Sequence, residues 1–342
     1  MAISRKEVAR LAGVSEATVS RVFNNVGPMK EETRERVLQA AEQVGYVPNA
    51  LAQQLARKKS GNIGVILPFV PKVHLFSTYY FSEILSGIGE AANRSGYNLL
   101  LIFREPSDAK DYSMLFRTQK IDACIVLGAR DVPEERAALE QLQAEGHPFC
   151  LVNQRFDGTS FMTVDADHAA GSREAVRHLI ASGRRSVAFL NGPAEYSSSR
   201  DRLAGYRTAL RESGIGYREE LVFVGNYSRK SGYEQAELIG ERIRSGEVDA
   251  VFAANDRMAI GLMQGLKELG IEPGERYGLV GYDNSDGSRI ISPTLSTVEV
   301  PFYEMGRLAA EKLLKEERKE ADGQQEDSLL PIRFLARETS TF

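Results

Sequence analysis

The sequence predicts an all-α head of about sixty residues, followed by an α/β body of two doubly wound parallel-sheet subdomains. Three observations lead to this prediction. Apolar residues recur at helical spacing in the head. Short apolar runs alternate with amphipathic segments in the rest of the chain. Finally, 342 residues are too many for one core and fit two or three compact units.

The composition is that of a globular protein, with 42% apolar and 26% charged residues. The longest apolar runs have the length of strands and fall short of the ~20 residues that span a bilayer. The first ten residues lack the apolar stretch of a signal peptide, so we expect a cytoplasmic protein. We expect Cys124 and Cys150 to be buried thiols in a reducing compartment rather than a disulfide or metal pair.

The charge is distributed unevenly along the chain. Residues 1–60 carry ten Lys and Arg against six Asp and Glu, whereas the remainder carries 33 against 41. A basic head on an acidic body suggests one end that binds a polyanion, since phosphate neutralisation supplies most non-specific affinity for DNA.

The head begins with two predicted helices, over residues 5–12 and 16–23. Gly13 supplies the positive φ of the turn between them, and Ala9, four residues earlier, allows the second helix to approach closely. Ser15 is the predicted N-cap of the second helix. This spacing indicates two helices that cross at a tight turn.

A third helix over residues 31–44 packs beneath the first two and ends at Gly45. The second helix then presents a face of small polar side chains and one arginine. That face consists of Ser15, Glu16, Ala17, Ser20 and Arg21, with Thr18 at its edge. Such a face suits a helix that enters a DNA major groove. The alternative is a plain three-helix bundle with a solvated polar face.

A short segment over residues 49–61 connects the head to the body. Asn49 can cap a helix, but about nine residues are too few to be helical alone. We expect the segment to fold when it is paired or presented to DNA, where an exposed leucine can act as a minor-groove wedge. The alternative is a simple linker.

The runs VARLAGVSEATVSRVFN (8–24) and GYVPNALA (45–52) resemble the head and hinge of the lactose-repressor (LacI/GalR) family, and the similarity continues along nearly the whole chain. The resemblance implies that the second helix reads the major groove and that paired hinge helices insert Leu55 into the minor groove. It implies a set of DNA-binding residues: Ser15, Glu16, Ala17, Thr18, Ser20, Arg21, Asn24, Asn49, Ala52 and Leu55.

The body has eight predicted strands, at residues 63–68, 99–103, 123–128, 149–153, 186–192, 222–225, 250–255 and 278–283. Six amphipathic helices are predicted between them, at residues 82–94, 134–145, 168–181, 202–213, 232–244 and 258–269. Apolar strands that alternate with helices indicate parallel sheets covered on both faces.

Ligands of doubly wound sheets bind beyond the carboxyl ends of the strands. Asn and Asp side chains gather at these positions, and aromatic residues that can stack on sugar rings lie in the following loops. The resemblance adds that the body is similar to periplasmic sugar-binding proteins, with the effector between the two subdomains. Together they predict an effector site of Tyr80, Phe81, Asn153, Arg202, Tyr227, Asn255, Asp256, Asp283 and Phe302.

Within this set, the family match makes Arg202 the arginine that contacts effector hydroxyls. Asn153 stands where several sugar-responsive members have Asp, so hydroxyl recognition should differ there. We make no prediction for His74 and Tyr79 in the loop over residues 69–80, which is longer than usual.

The predicted boundaries are 1–46 for the helix-turn-helix head, 47–60 for the hinge and 61–342 for the effector-binding and dimerisation domain. Its N-subdomain covers about 61–165 and 297–326, and its C-subdomain about 166–296 and 327–342. We expect three crossings between subdomains, near Asp165, Ser296 and Asp327. No leucine heptad follows the body, which favours a homodimer over the tetramer of one family member.

Other functional motifs are weak. The run GIGEAA (87–92) fits a dinucleotide pattern but lies inside a predicted helix, far from the preceding strand. We find no P-loop, no G-x-S-x-G elbow and no metal-ligand spacing around His74, His147, His168 or His178. We therefore expect no enzyme, no cofactor and no metal. Two other functions remain as alternatives. A solute-binding protein would carry a signal peptide, and a sugar-modifying enzyme would carry a phosphate-binding glycine loop, a catalytic base or a metal site.

The head and the resemblance together predict a transcriptional repressor that binds a pseudo-palindromic operator. The resemblance implies carbohydrate-utilisation genes as its targets and a sugar or sugar phosphate as the effector that controls binding.

Overall fold

The computed structural model describes residues 4–24, 26–48, 59–69, 75–105, 108, 110–274, 276–317 and 328–341. The head contains three helices: α1 (Arg5–Ala12), α2 (Glu16–Asn24) and α3 (Glu31–Val44). Gly13 ends α1 with φ 65° and Gly45 ends α3 with φ 66°, so both glycines adopt the left-handed conformation that the sequence predicts. The buried face of the three helices is small and aliphatic: Val8, Ala9, Ala12, Val19, Val22, Val37, Ala40 and Ala41.

The first lobe of the body is built on a six-stranded parallel sheet in the order β11-β5-β4-β3-β1-β2. Its strands are β1 (Asn62–Pro68), β2 (Asn98–Arg104), β3 (Ala123–Leu127), β4 (Phe149–Val152), β5 (Thr163–Ala166) and β11 (Ser328–Leu330). Its helices are α4 (Tyr79–Arg94), α5 (Ser113–Arg117), α6 (Pro133–Ala144) and α13 (Phe302–Glu317), with a 3-10 turn at Leu75–Ser77.

The second lobe has a four-stranded parallel sheet in the order β7-β6-β8-β9. Its strands are β6 (Val187–Asn191), β7 (Val222–Val224), β8 (Ala250–Ala253) and β9 (Gly278–Val280). Its helices are α7 (His168–Ala181), α8 (Ser197–Glu212), α9 (Arg229–Glu234), α10 (Ala236–Arg244), α11 (Asp256–Glu268) and α12 (Asp286–Ile290), with a 3-10 turn at Glu219–Leu221.

The chain passes between the lobes at three places: from β5 into α7, from β10 (Thr297–Glu299) into α13, and from β11 into β12 (Arg333–Leu335). Strands β10 and β12 pair antiparallel beside these passages. One continuous apolar core extends through both lobes, and it includes Phe302 and Tyr282.

Several elements differ in length from their predictions. Helix α4 begins at Tyr79, so Tyr80 and Phe81 belong to its first turn rather than to a loop. The aromatic rings explain this extra turn, because Tyr79 and Tyr80 both pack edge-on against Phe302. The predicted helix over residues 232–244 is divided into α9 and α10.

Helices α4 and α13 cross at two glycines. A Cβ atom at Gly87 would overlap the backbone carbonyl of Tyr303, and one at Gly306 would overlap that of Ile84. Gly87, part of the run that resembles a dinucleotide motif, therefore serves helix packing.

The far end of α13 holds the segment that enters the body from the head. Glu317 forms a 2.5 Å ion pair with Lys59 and accepts a 2.8 Å hydrogen bond from the hydroxyl of Tyr97. The backbone amides of Ser60 and Gly61 each donate at 2.7 Å to the carboxylate of Asp122. Residues 59–61 are thus attached to the first lobe by these three polar contacts.

Candidate DNA interface and effector cleft

Helix α2 presents the polar face that the sequence predicts. Ser15, Glu16 and Ala17 are exposed, while Thr18 and Ser20 are half-buried. The hydroxyl of Ser15 accepts a 3.1 Å hydrogen bond from the backbone amide of Thr18, so Ser15 is the N-cap.

Two residues at the end of α2 are already engaged within the head. The Arg21 guanidinium is exposed, but it donates to the carbonyls of Val26 and Pro28 at 3.4 and 3.2 Å. Asn24 is buried and donates to Ser20 at 3.1 Å, so it lies off the exposed face in this conformation. Asn49, Ala52 and Leu55, the other predicted DNA contacts, lie outside the described residues.

The second candidate site is the cleft between the lobes, where the carboxyl ends of both sheets meet. Polar contacts join the lobes along its rim. Gln154 of the first lobe accepts from the Ser197 amide at 2.8 Å and donates to the Glu195 carbonyl at 3.1 Å. Nearby, Arg200 of the second lobe lies 3.4 Å from Asp131 of the first. The lobes are therefore closed against each other along this rim.

Arg202, on α8, has its guanidinium at the centre of the cleft wall. It is 3% exposed, and its Cζ lies 4.1 Å from the centroid of the Tyr282 ring. The two Nη atoms lie at 3.4 Å from the Tyr227 hydroxyl and the His168 ring, and the buried Nε has no hydrogen-bond partner among the described residues. A buried, incompletely satisfied guanidinium is a strong donor for a ligand.

Asp283 follows β9, with φ 107°, and is only half-buried. Its carboxylate accepts no hydrogen bond from the described residues. Enclosure raises the pKa of Asp283 well above its ordinary value, the nearby Arg202 opposes this rise, and the charge of Asp256 adds to it. The charges of Arg202 and Asp283 thus act on each other, and both side chains keep hydrogen-bonding capacity that the described residues do not use.

A second charged group supports the cleft from beneath. Arg155 forms ion pairs with Asp165 and with Asp201, the latter at 2.7 Å. Burial would raise the pKa of Asp165, but the hydrogen bond from His168 and the charge of Arg155 outweigh it and lower that pKa. Arg155 therefore joins the first lobe to α8 and is neutralised by two carboxylates.

Aromatic rings form the rest of the cleft wall. Tyr80 lies between Phe81 and Phe302, and the centroid of its ring is 4.7 Å from that of Phe81 and 5.1 Å from that of Phe302. Tyr227, with φ 65°, faces Tyr196 at 5.8 Å. Phe302 is 2% exposed, so it backs the Tyr80 ring rather than offering a free face.

Asn255 and Asp256 have structural roles that the sequence did not reveal. The Asn255 side chain caps α11 by accepting from the Met258 amide at 2.9 Å, and it donates to the Tyr227 carbonyl at 3.0 Å.

Asp256 is fully buried. It accepts from the amide and hydroxyl of Ser285 at 2.7 and 2.9 Å and from the Thr297 hydroxyl at 2.6 Å. Both carboxylate oxygens are occupied, so in this conformation Asp256 holds the cleft together and does not face a ligand.

His168 belongs to the cleft, although the sequence did not single it out. It is 1% exposed and contacts Asn153, Asp165, Arg202 and Tyr282. The one available signal was its place three residues after Asp165, where the chain was expected to cross between subdomains.

A separate cavity of ≈ 560 Å³ lies against α6, at the carboxyl ends of β1 and β3. Tyr112, Glu135, Arg104 and Lys110 line it, and it includes none of the predicted effector residues. Cys124 and Cys150 lie on neighbouring strands as buried thiols. Burial raises the pKa of Cys124, so its thiol is inert.

The described residues contain no group of three His, Cys, Asp or Glu side chains arranged to hold a metal ion. In that same part of the chain, no helix combines the length and apolarity needed to pass through a membrane.

Comparison with known proteins identifies the head and the body of the chain. Residues 5–49 match the family of bacterial regulatory proteins, lacI family, and residues 176–340 match the periplasmic binding protein-like domain. The HTH-type transcriptional regulator AscG of Escherichia coli (strain K12) is 35% identical, with 87% of each chain covered. Catabolite control protein A of Priestia megaterium is 32% identical over 94% of each.

Two solved structures match the chain over nearly its full length. The Lac repressor dimer bound to operator and the anti-inducer ONPF is 29% identical, with a TM-score of 0.82 and full coverage of both chains. A complex of the transcriptional regulator CelR with cellobiose is 28% identical, with a TM-score of 0.74, and covers 98% of this chain and 99% of that one. These relatives are transcriptional regulators and not enzymes. This chain belongs to the LacI family of DNA-binding transcriptional regulators.

Proposed function

We propose that this protein is an allosteric repressor of carbohydrate-utilisation genes. It binds a pseudo-palindromic operator as a homodimer, and a sugar or sugar phosphate bound between the lobes controls that binding. The same proposal places it in the cytoplasm, with the chromosomal DNA. The observation that carries the effector half is the buried Arg202 guanidinium, whose Nε has no hydrogen-bond partner among the described residues and whose charge acts on the carboxylate of Asp283.

A hydroxyl group fits this pair because it can accept a hydrogen bond from Arg202 while donating one to Asp283. Tyr80 and Tyr227 supply flat surfaces for the ring of a sugar. The bound cellobiose of the CelR complex supports this class of effector. We therefore keep Tyr80, Asn153, Arg202, Tyr227 and Asp283 as the proposed contacts.

Four residues of the predicted effector site receive other roles. Phe302 and Phe81 back the Tyr80 ring, and Asn255 and Asp256 hold the loops around the cleft in place.

The regulatory step follows from the closed rim and the three strand passages between the lobes. An effector that prefers one degree of closure shifts the equilibrium between closed and open lobes, and a coupling of about 1–3 kcal/mol changes DNA affinity about 5–150-fold. The Lac repressor dimer bound to its operator supports the proposed dimer on DNA.

The DNA half is tested by footprinting the purified protein on DNA from upstream of its own gene. Ala17→Asp adds a negative charge to the exposed face of α2. We expect it to weaken protection at least about 100-fold, because a carboxylate there would face phosphates and base edges. The control is Gln39→Asp, which adds the same charge at an exposed position of α3. Equal losses in both variants would contradict α2 as the reading helix.

The effector half is tested by a thermal-shift screen of monosaccharides, disaccharides including cellobiose, and their phosphates. A sugar that raises the unfolding temperature should also change the footprint. A footprint that no stabilising sugar alters would contradict allosteric control by the cleft.

A further inference from the structure

His168 connects the two lobes at the floor of the cleft. It is the first residue of α7, directly after the passage from β5. Its Nε2 lies 2.7 Å from Oδ1 of Asn153 in the first lobe. Its Nδ1 lies 3.4 Å from Nη2 of Arg202 and 3.3 Å from the Tyr282 hydroxyl in the second lobe. One ring thus contacts two of the proposed effector-binding side chains.

The neighbours determine which ring nitrogen carries the proton. A guanidinium can only donate, so Nδ1, facing Arg202, must offer its lone pair. A carboxylate can only accept, and Oδ1 of Asp165 lies 3.5 Å from Nε2, which must therefore carry the hydrogen. Both constraints select the neutral Nε2–H tautomer.

The surroundings also keep the ring neutral. Burial lowers the pKa of His168, the positive charge of Arg202 lowers it further, and Asp165 and Asp201 oppose this decrease. Tyr282, the remaining polar neighbour, is itself buried; its hydroxyl lies 3.3 Å from Nδ1 and donates to the backbone carbonyl of His168 at 3.4 Å.

The tautomer then orients Asn153. Because Nε2–H donates at 2.7 Å, the Asn153 atom that faces it must be the carbonyl oxygen rather than the amide nitrogen. Asn153 adopts φ 61°, a backbone conformation that asparagine tolerates better than most residues. The amide nitrogen, a donor only, is what the side chain can still offer.

We infer that His168 is a positioning residue of the effector cleft, which accepts from Arg202, donates to the Asn153 oxygen and so makes Asn153 a hydrogen-bond donor. The effector atom that meets Asn153 is then an acceptor, such as a ring, glycosidic or acidic oxygen. An Asp at position 153 would present acceptors instead. The inference rests on the proposed function only in treating the cleft as the effector site.

The test is nitrogen-15 NMR of the histidine rings in the full-length, ligand-free protein. The sequence has four histidines, and His168→Gln identifies the signal by removing it. We expect His168 to show a protonated Nε2 and an unprotonated Nδ1, and to keep that pattern between about pH 5 and 8. A protonated Nδ1, or titration at the ordinary pKa, would overturn the inference.

Two variants test the link to Asn153. Asn153→Leu removes the acceptor and should shift the Nε2 resonance, whereas Asn153→Asp keeps an oxygen there and should retain the tautomer. His178, whose Nε2 lies 2.8 Å from the Ser340 hydroxyl, serves as the internal control and should not respond. An Nε2 resonance that stays in place in Asn153→Leu would also overturn the inference. The NMR samples contain neither DNA nor sugar. The proposed function can therefore fail while this inference holds, and this inference can fail while the proposed function holds.

Discussion

The proposed DNA-reading face of α2 and the proposed effector cleft use similar polar residues in opposite ways. On α2, Glu16 makes no side-chain hydrogen bond within the described residues, and Ala17 has no polar group to satisfy. In the cleft, Arg155, His168 and Asp256 are held by several internal partners each. The partner of the head must come from outside, whereas most of the cleft is pre-organised before any ligand arrives.

This difference suggests how a small effector could control the binding of operator DNA. A ligand that adds a few hydrogen bonds to a satisfied network can still change how the lobes meet, since each rim contact is itself weak. The head, in contrast, gains its affinity from many phosphate and base contacts at once. Changes in the cleft should therefore alter regulation, and changes on α2 should alter binding itself.

The strongest test of this contrast is Arg202→Ala. We expect it to weaken effector binding about 100-fold, because a buried charged donor is lost from the cleft. DNA binding without effector should stay within a factor of about two, a change well below 1.4 kcal/mol. Isothermal titration and footprinting measure the two. Arg207→Ala, at an exposed position of the same helix, is the matched control, and a normal response in Arg202→Ala would remove Arg202 from the site.

The second test uses pH. Burial raises the pKa of Asp256 to about 6 and that of Asp283 above its ordinary value. The folded protein therefore keeps these protons at a pH where the unfolded chain, with carboxyl pKa values of about 4, has lost them. This pair should lower the free energy of unfolding by about 1–3 kcal/mol as pH rises from 4 to 6.

Asp283→Asn should make that slope shallower in urea unfolding between pH 4 and 6. Asp286→Asn, at an exposed position three residues away, should leave it unchanged. The same slope in both variants and the parent would show that the pair does not titrate as described.

A smaller effect is expected at the hinge. Leu55→Ala should weaken operator binding about tenfold by removing the wedge that bends the DNA, with effector affinity nearly intact. Fluorescence energy transfer between dyes at the ends of the operator measures the bend. An unchanged bend angle would count against the wedge, and Gln54→Ala is the control.

The smallest effect concerns the cap of the reading helix. Ser15→Ala should destabilise α2 by about 1 kcal/mol, since the hydrogen bond to the Thr18 amide is lost. Amide exchange in the full-length protein should then be faster within α2. Ser4→Ala is a close control, because Ser4 occupies the N-cap of α1 without a side-chain cap bond. Equal acceleration in both helices would contradict the role of the Ser15 hydroxyl.

The head could be predicted in detail because its signals are local. Gly13, Ser15 and Gly45 act on residues three to five positions away, and the structure has each in its predicted conformation. The eight predicted strands were also found, because buried parallel strands appear as apolar runs. The resemblance to a known family then assigned the two sites their roles.

The passages between the lobes were harder to predict. Strands β5, β10, β11 and β12 have only three or four residues each, and the pairings of β5 with β11 and of β10 with β12 join strands that lie far apart in the chain. The roles of Asp256 and His168 depend on the same kind of distant contact. Asp256 binds Ser285 and Thr297, and His168 binds Tyr282, 114 positions later. No spacing pattern within one segment records such partnerships.

Helix α13 connects the cleft to the segment that leads to the head. Its first residue, Phe302, packs against the ring of Tyr80, and its last, Glu317, forms an ion pair with Lys59 at the start of the body. The sixteen residues of α13 span about 24 Å, and the glycine crossing packs α13 closely against α4. In the proposed mechanism, a displacement of Tyr80 and Phe302 therefore reaches Lys59 through one continuous helix, with no loop between its two ends.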